Sequence, residues 1–226
     1  TSIEFSVRLR MVFEELGPTF IKFGQIIATR PDIFPDAIIR EFRNLQDRVP
    51  PFKIETANEI MKSELGKEPS EVFQEFESSP IAAASLAQVH KAKLADGTRV
   101  VVKVQRPNLQ RTLDTDIDIL KGITALLEEY IPESKAFNPS RLVDEFARAL
   151  RKECDFEREA FNIIRFAQNF RDEEGLRVPK VYLEVTTKKL LVEEFIDGTR
   201  ADDIETLRGH GIDAASILKA LERVVL

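Results

Sequence analysis

The chain has 226 residues, 43% of them hydrophobic and 32% charged, and its 33 Lys and Arg against 39 Asp and Glu give a formal charge of −6. This composition excludes a disordered chain, and no apolar run reaches the roughly 18 residues of a membrane-spanning helix. One cysteine and two histidines argue against a disulfide framework and against most zinc sites. The acidic balance argues against nucleic acid as a partner.

Four helices are predicted in the first third of the chain. Apolar residues from Ile3 to Leu16 recur about one helical turn apart. Gly17-Pro18 ends that helix and begins the next, because proline suits the first turn of a helix. Gly66 is expected to end the fourth. The predicted helices cover about residues 3–16, 18–27, 36–46 and 54–65.

The apolar period then changes to that of strands. Leu86–Leu94 and Arg99–Gln105 favour β-structure, and they flank Asp96-Gly97, which is a strong hairpin signal. Further along the chain, Lys180–Thr186 and Lys189–Ile196 predict a second hairpin.

Long helical runs separate and follow the two hairpins. Asn108–Tyr130 predicts one helix. Residues from Asn138 to about Asp172 predict another, and its length of about 35 residues indicates a break within it. The tail is predicted to be helical over Asp202–Leu207 and Asp213–Leu226. This order predicts an α+β domain with a small antiparallel sheet covered by helices.

Lys103 lies within the apolar run Val100–Gln105. Burying a lysine is expensive unless a carboxylate or a phosphate meets it. The run therefore predicts an anion contact at Lys103. The alternative, an edge-strand lysine that reaches solvent, stays open.

Small residues precede the first predicted hairpin. Ala82, Ala83, Ala84 and Ser85 would let a ligand approach the backbone closely, where a phosphate could accept N–H hydrogen bonds. Neither the G-x-G-x-x-G nor the Walker pattern is present. A tightly packed alanine run is therefore an alternative interpretation.

Lys22 and Gln25 are three residues apart, so they share one face of the second helix. Gly24 lies between them, and glycine inside a helix costs about 1 kcal/mol relative to alanine. A close neighbour would explain that cost. An ordinary amphipathic helix is the alternative.

Acidic residues mark two further places. Asp155 and Glu159 are four residues apart and share a helix face, whereas Glu153 points away from Asp155 on an ideal helix. The apolar strand Leu191–Ile196 runs into an acidic turn that ends in glycine. A solvated helix face and an ordinary strand end are the respective alternatives.

Taken in order, these patterns resemble the UbiB family of atypical protein-kinase-like proteins, the ADCK group in animals. The resemblance extends from about Phe13 to Gly198. Lys22-Phe23-Gly24-Gln25 is similar to the family's lysine-x-glycine-glutamine signature. Pro80–His90 resembles its alanine-rich loop, which replaces the glycine-rich loop of ordinary kinases.

The resemblance implies a role for each candidate residue. Lys103 resembles the strand lysine that contacts nucleotide phosphates, and Glu159 resembles the helix glutamate that pairs with it and keeps it ionised. Glu153 and Asp155 resemble the family's glutamate-x-aspartate pair. The backbone of Glu194–Ile196 resembles the hinge that holds adenine.

Two residues depart from the family pattern. Ala87 stands where the family usually has glycine, and Val101 stands where kinases carry alanine beneath the adenine. Both residues add bulk near the expected nucleotide. Val101 is therefore expected to contact the adenine, with an effect on affinity.

The implied architecture is a kinase-like N-lobe at residues 67–196, preceded by a helical extension at 1–66 and followed by the hinge and the start of a C-lobe at 197–226. Neither a D-F-G nor an H-x-D pattern occurs. We therefore expect ATP or ADP as cofactor, no metal ligands within the chain, and magnesium ligands beyond Leu226. The chain alone is not expected to transfer phosphate.

The resemblance also implies a cellular context. Lys22 would meet Glu153 and Asp155 across the cleft and occlude a protein-substrate groove, which favours a lipid-like substrate or an ATPase. Because the family is linked to ubiquinone and other prenyl-lipid metabolism, we expect quinone-pathway proteins or a membrane surface as partners. The expected location is cytoplasmic or peripheral at the inner membrane. The alternatives are a non-catalytic helical interaction module and another kinase-like small-molecule phosphotransferase.

Overall fold

The computed structural model describes residues 4–45, 49–173, 175–201, 203–213 and 217. The helices are α1 (Phe5–Leu16), α2 (Pro18–Ile27), α3 (Asp36–Phe42), α4 (Ile54–Leu65), α5 (Leu109–Tyr130), α6 (Pro139–Glu153), α7 (Phe156–Asn169) and α8 (Ile204–Gly209). The strands are β1 (Phe73–Phe76), β2 (Ala82–Ala83), β3 (Ala87–Leu94), β4 (Arg99–Gln105) and β5 (Leu190–Glu194). These elements confirm the predicted α+β class.

The first four helices confirm the prediction, and local signals explain their ends. Gly17 adopts a φ of 98° between α1 and α2, and Pro18 occupies the first turn of α2. Gly66 ends α4 in the left-handed conformation at φ 69°. Helix α3 ends at Phe42, whereas its predicted end, Gln46, lies outside the described residues.

The sheet is antiparallel, in the order β1-β3-β4-β5, with β2 also paired to β3. The predicted β3–β4 hairpin is confirmed. Gly97 has a φ of 83°, and the Leu94 amide donates to the Thr98 carbonyl across 3.0 Å. Strands β1 and β2 were not predicted.

The second predicted hairpin is wrong, because only its later strand, β5, forms. Within the expected strand Lys180–Thr186, Val181 makes a single β-bridge and the chain then enters a 3-10 turn. The Thr186 hydroxyl donates to the Tyr182 carbonyl at 2.8 Å and accepts from the Val192 amide at 3.1 Å. A side chain thus takes the place of a backbone partner in the ladder.

The long helical run contains the expected break. Helix α6 ends at Glu153, Asp155 is extended at φ −106° and ψ 98°, and α7 begins at Phe156. The Asp155 carboxylate accepts a hydrogen bond from the Arg158 amide at 3.2 Å, as an N-cap residue does. The break therefore has its own stabilising contact.

The two faces of the sheet are covered by different helices. Val100, Val102 and Val104 are fully buried on the face that packs against α4. Residues alternate along a strand, so Val101 and Lys103 face the other side, which α7 covers. This alternation places Lys103 between the sheet and α7.

A separate helical cluster packs α1, α2 and α3 against α5 and α6. Phe13 packs against neighbouring rings, including Phe42 at a centroid distance of 4.7 Å. The ring centroids of Phe23 of α2 and Phe146 of α6 lie 4.7 Å apart, and this contact packs α2 against α6. The predicted domain boundaries at residues 66 and 196 stay a prediction. The predicted tail helix at 213–226 also stays a prediction, because most of it lies outside the described residues.

A buried chain of hydrogen bonds connects the segment between α3 and α4 to the sheet. The Phe52 amide donates to Gln88 Oε1 at 3.0 Å, and Gln88 Nε2 lies 2.8 Å from His90 Nε2. His90 Nδ1 lies 2.8 Å from the Glu77 carbonyl. Because a carbonyl only accepts, Nδ1 carries the proton, and Nε2 accepts from the Gln88 amide. Burial lowers the pKa of His90, which favours the neutral ring.

Candidate functional site

Lys103 and Glu159 form a half-buried ion pair between β4 and α7. The Lys103 Nζ atom lies 2.9 and 2.8 Å from Glu159 Oε1 and Oε2, and 4.7 Å from the centroid of the Phe156 ring. Strand β4 pairs on both sides, so an edge-strand lysine is excluded. The predicted pair is present, with its ammonium held by an acid and an aromatic face.

The pair opens onto a cavity of about 540 Å³, a volume in the range of small-molecule sites, about 300–1,000 Å³. The charged side chains that line it comprise four cations and two acids. These are Lys22, Lys103, Lys152, Arg158, Glu153 and Glu159. The excess of positive charge favours an anionic ligand.

The alanine-rich loop forms one wall of this cavity. Ala82, Ala84 and Ser85 line it, whereas Ala83 is half-buried in strand β2 and is not among the lining residues. The Ala84 amide donates to the Ala87 carbonyl at 2.8 Å, so that amide shapes the loop. Ala87 also lines the cavity.

Arg106 holds the loop from behind. Its Nε donates to the Ala84 carbonyl at 2.8 Å, and its backbone amide donates to the Leu86 carbonyl at 2.9 Å. The same guanidinium reaches the carbonyls of Val49 and Pro50, at 3.3 and 3.0 Å. One side chain thus fixes both the loop and the segment between α3 and α4.

Lys22 and Gln25 face different surroundings although they share a helix. Lys22 lines the cavity, and its Nζ lies 3.3 Å from Glu153 Oε2. Gln25 donates instead to the Leu45 carbonyl at 3.3 Å, which holds α2 to the segment that follows α3. The expected contact between Lys22 and Glu153 is therefore present, and a catalytic role for either residue stays a prediction.

Gly24 allows the close packing beneath this motif. A Cβ atom at this position would collide with the Leu45 side chain and lie 3.1 Å from Phe13 Cδ1. Leu45 is thus the close neighbour that explains why a glycine lies inside this helix.

The two acids of the glutamate-x-aspartate pair diverge, as expected from their spacing. Glu153 pairs with Lys22, whereas Asp155 caps α7 and does not line the cavity. Cys154 between them is buried, and burial raises the pKa of its thiol to about 11, with the Glu153 charge as a further cause. The break between α6 and α7 aims the two carboxylates differently.

The residues expected around the base lie beyond the cavity. Val101 is buried on the same sheet face as Lys103. The Glu194 amide donates to the Lys180 carbonyl at 2.8 Å, and the Arg177 hydrogen bond lowers the pKa of the Glu194 carboxyl. Ile196 is 38% exposed. Their roles in binding a base stay predictions.

Three polar lining residues were missed by sequence analysis, namely Lys152, Arg158 and Asn162. Asn162 follows Glu159 by three residues, so helical spacing alone places it on the same face of α7. Lys152 and Arg158 flank the break between α6 and α7, and their position depends on its geometry. Within the described ranges, no group of three or more His, Cys, Asp or Glu side chains could hold a metal ion.

Comparison with known proteins identifies the family. Residues 44–226 match the model of the ABC1 atypical kinase-like domain. The chain belongs to this ABC1 family. Among curated relatives, the "Probable protein kinase UbiB" of Marinobacter nauticus is 40% identical over 206 residues, which cover 91% of this chain and 38% of the relative. That of Pseudomonas aeruginosa is 43% identical over 206 residues, which cover 91% and 39%.

A solved structure has a similar fold. The Rv3197–erythromycin complex from Mycobacterium tuberculosis aligns with a TM-score of 0.58 at 28% identity, covering 85% of this chain and 48% of that one. The expected UbiB-like family and kinase-like N-lobe fold are confirmed. The chain spans about two fifths of the length of these curated relatives. Among the described residues, no helix is long and apolar enough to cross a membrane.

Proposed function

We propose that this chain is the nucleotide-binding portion of an atypical kinase or ATPase that takes ATP or ADP. The observation that carries the proposal is the bidentate Lys103–Glu159 pair on the wall of the cavity. A lysine ammonium group binds phosphate as a point charge. Glu159 would hold Lys103 in place, and Lys103 would bind the phosphates.

The composition of the cavity supports a polyphosphate ligand. Three further cations, Lys22, Lys152 and Arg158, line the same space. The small side chains of Ala82 and Ala84 leave room for phosphate oxygens along the loop. Magnesium enters the proposal as the ion that the nucleotide phosphates carry.

The Lys22–Glu153 contact supports a proposal about the second substrate. It joins α2 to the end of α6 beside the cavity, where it would obstruct a protein substrate. We propose a small lipid-like substrate. The family suggests that this substrate belongs to the biosynthesis of ubiquinone or another prenyl lipid. Phosphate transfer is proposed for the longer chains of the relatives, and nucleotide binding without transfer for this chain alone.

Calorimetric titration with MgATP and MgADP tests the nucleotide site. We expect binding to the unmodified chain and a loss of at least about tenfold in affinity in Lys103→Ala, since a charge-assisted contact is lost. Lys93→Ala is the matched control, because Lys93 forms a 2.7 Å ion pair with Glu75 outside the cavity. Unchanged affinity in Lys103→Ala would contradict the proposal. No binding by a folded, unmodified chain would favour a helical interaction module.

A further inference from the structure

Glu193 is an acid to which the proposed function gives no role. It lies on β5 directly opposite Val101 of β4, two residues along from the pair Lys103 and Leu191. Directly opposed residues of an antiparallel pair share one sheet face. Glu193 therefore points to the same side of the sheet as Lys103.

The surroundings of Glu193 do little to stabilise the negative charge of its carboxylate. Burial raises its pKa, the nearby charge of Glu159 raises it further, and only Lys103 opposes this trend. Among the described residues, no protein group forms a hydrogen bond or an ion pair with this carboxylate. Lys91 shares the face, but its Nζ lies 4.9 Å from the centroid of the Phe195 ring. A partly buried acid without a donor is costly, and a ligand N–H would relieve that cost.

The position of Glu193 suits the base of a nucleotide whose phosphates lie at Lys103. An offset of two residues along β4 and β5 is about 7 Å, which leaves room for a sugar between phosphates and base. Glu193 also directly precedes Glu194, where the predicted hinge begins. The carboxylate would then face the edge of the base.

We propose that Glu193 determines base specificity: its carboxylate accepts a hydrogen bond from the exocyclic 6-amino group of adenine. This inference rests on the proposed nucleotide site. An ionised carboxylate only accepts hydrogen bonds. Adenine carries a donor at position 6, whereas guanine carries an acceptor oxygen there, and hypoxanthine does so as well. Two facing oxygen acceptors repel, so the site selects against 6-oxo purines.

Competition between MgATP and magnesium inosine triphosphate tests this assignment, because inosine replaces the 6-amino group with a carbonyl oxygen. We expect the unmodified chain to bind MgATP at least about tenfold more tightly. In Glu193→Gln the ratio is expected to approach one, since the amide both donates and accepts. Glu184→Gln removes an exposed acid from a 3-10 turn, and it should keep the wild-type ratio.

The outcomes separate this inference from the proposed function. Equal affinity of the unmodified chain for the two nucleotides, or a wild-type ratio in Glu193→Gln, overturns the role of Glu193 and leaves the Lys103 site intact. Failure of the unmodified chain to bind either nucleotide overturns both. If Glu193→Gln does not fold, equal affinity of the unmodified chain for the two nucleotides still overturns the role of Glu193.

Discussion

The Nζ atom of Lys22 lies 3.3 Å from Oε2 of Glu153, and this ion pair joins α2 to the last residue of α6. The two side chains are 23% and 47% exposed, so water screens the pair, and such pairs contribute about 0–1 kcal/mol to stability. The pair therefore matters for the two opposite charges that it places at the cavity, and less for the stability of the fold.

Opposite effects on anion binding are expected from the two halves of this pair. Lys22→Gln removes a cation from the cavity and should weaken MgATP binding a few-fold, whereas Glu153→Gln removes an acid and should strengthen it a few-fold. Both effects should shrink at high salt. Titrations at two ionic strengths measure them. Asp144→Asn, which breaks an exposed pair with Lys121 outside the cavity, should leave binding unchanged. Shifts of the same sign in both cavity variants would contradict this expectation.

Gly24→Ala should destabilise the fold. Alanine gains about 1 kcal/mol in helix propensity, but its methyl group would collide with Leu45 and crowd Phe13, and overpacking costs about 1–3 kcal/mol. We expect a net loss of about 1 kcal/mol in the free energy of unfolding, measured with urea.

Gly122→Ala is the matched control for this substitution. Gly122 also lies within a helix, α5, and a Cβ atom there would meet nothing within 4 Å. We therefore expect a stabilisation of about 1 kcal/mol. If both variants change stability with the same sign, close packing at Gly24 is not the cause.

Acid should destabilise the fold through His90. Its pKa is lowered on folding, so the stability it contributes is fully present above the unfolded value of about 6.5 and is lost as pH falls from there towards the folded pKa. Protonation would place an N–H of the ring against the Gln88 amide donor. Urea unfolding between pH 7.5 and 5 measures the slope.

Two variants isolate the contribution of His90. His90→Gln should be less stable at pH 7.5 but should show a shallower loss of stability between pH 6.5 and 5. His210→Gln alters an exposed histidine after α8 and should retain the wild-type slope. A wild-type slope in His90→Gln would assign the acid sensitivity to other groups.

Cys154 should react slowly with thiol reagents in the folded chain. A thiol pKa of about 11 leaves about a thousandth of it as thiolate at pH 8, and the thiolate is the nucleophile. We expect modification to be at least about a hundredfold slower than in urea, where the pKa returns to about 8.5. Mass spectrometry over time measures both rates. Rapid labelling of the folded chain would show that the thiol is exposed or activated.

Local signals in the sequence located most of the fold. Asp96-Gly97 fixed the β3–β4 hairpin, and the unusual length of the run after Asn138 indicated the break at Asp155. Strand β1 has only four residues, too few for a clear alternating pattern. The second hairpin failed because the Thr186 hydroxyl replaces a backbone partner, and strand propensity does not encode that substitution.

The candidate site was partly accessible from the sequence. The cost of burying Lys103 indicated an anion beside it, and the family resemblance named Glu159 as that acid. The contact of Gln25 with Leu45 depends on how α2 packs against α3. Glu193 gave no separate signal, since its importance comes from cross-strand register with Val101.

Arg106 has a consequence for how a ligand reaches the cavity. The guanidinium and the backbone amide of Arg106 donate hydrogen bonds to the carbonyls of Ala84 and Leu86. The alanine-rich loop is therefore held in place, and we do not expect it to open and close over the cavity. Exchange of a bound molecule is then expected to depend on motion of side chains that line the cavity, such as Lys22. Slower backbone rearrangement of the loop would not be required.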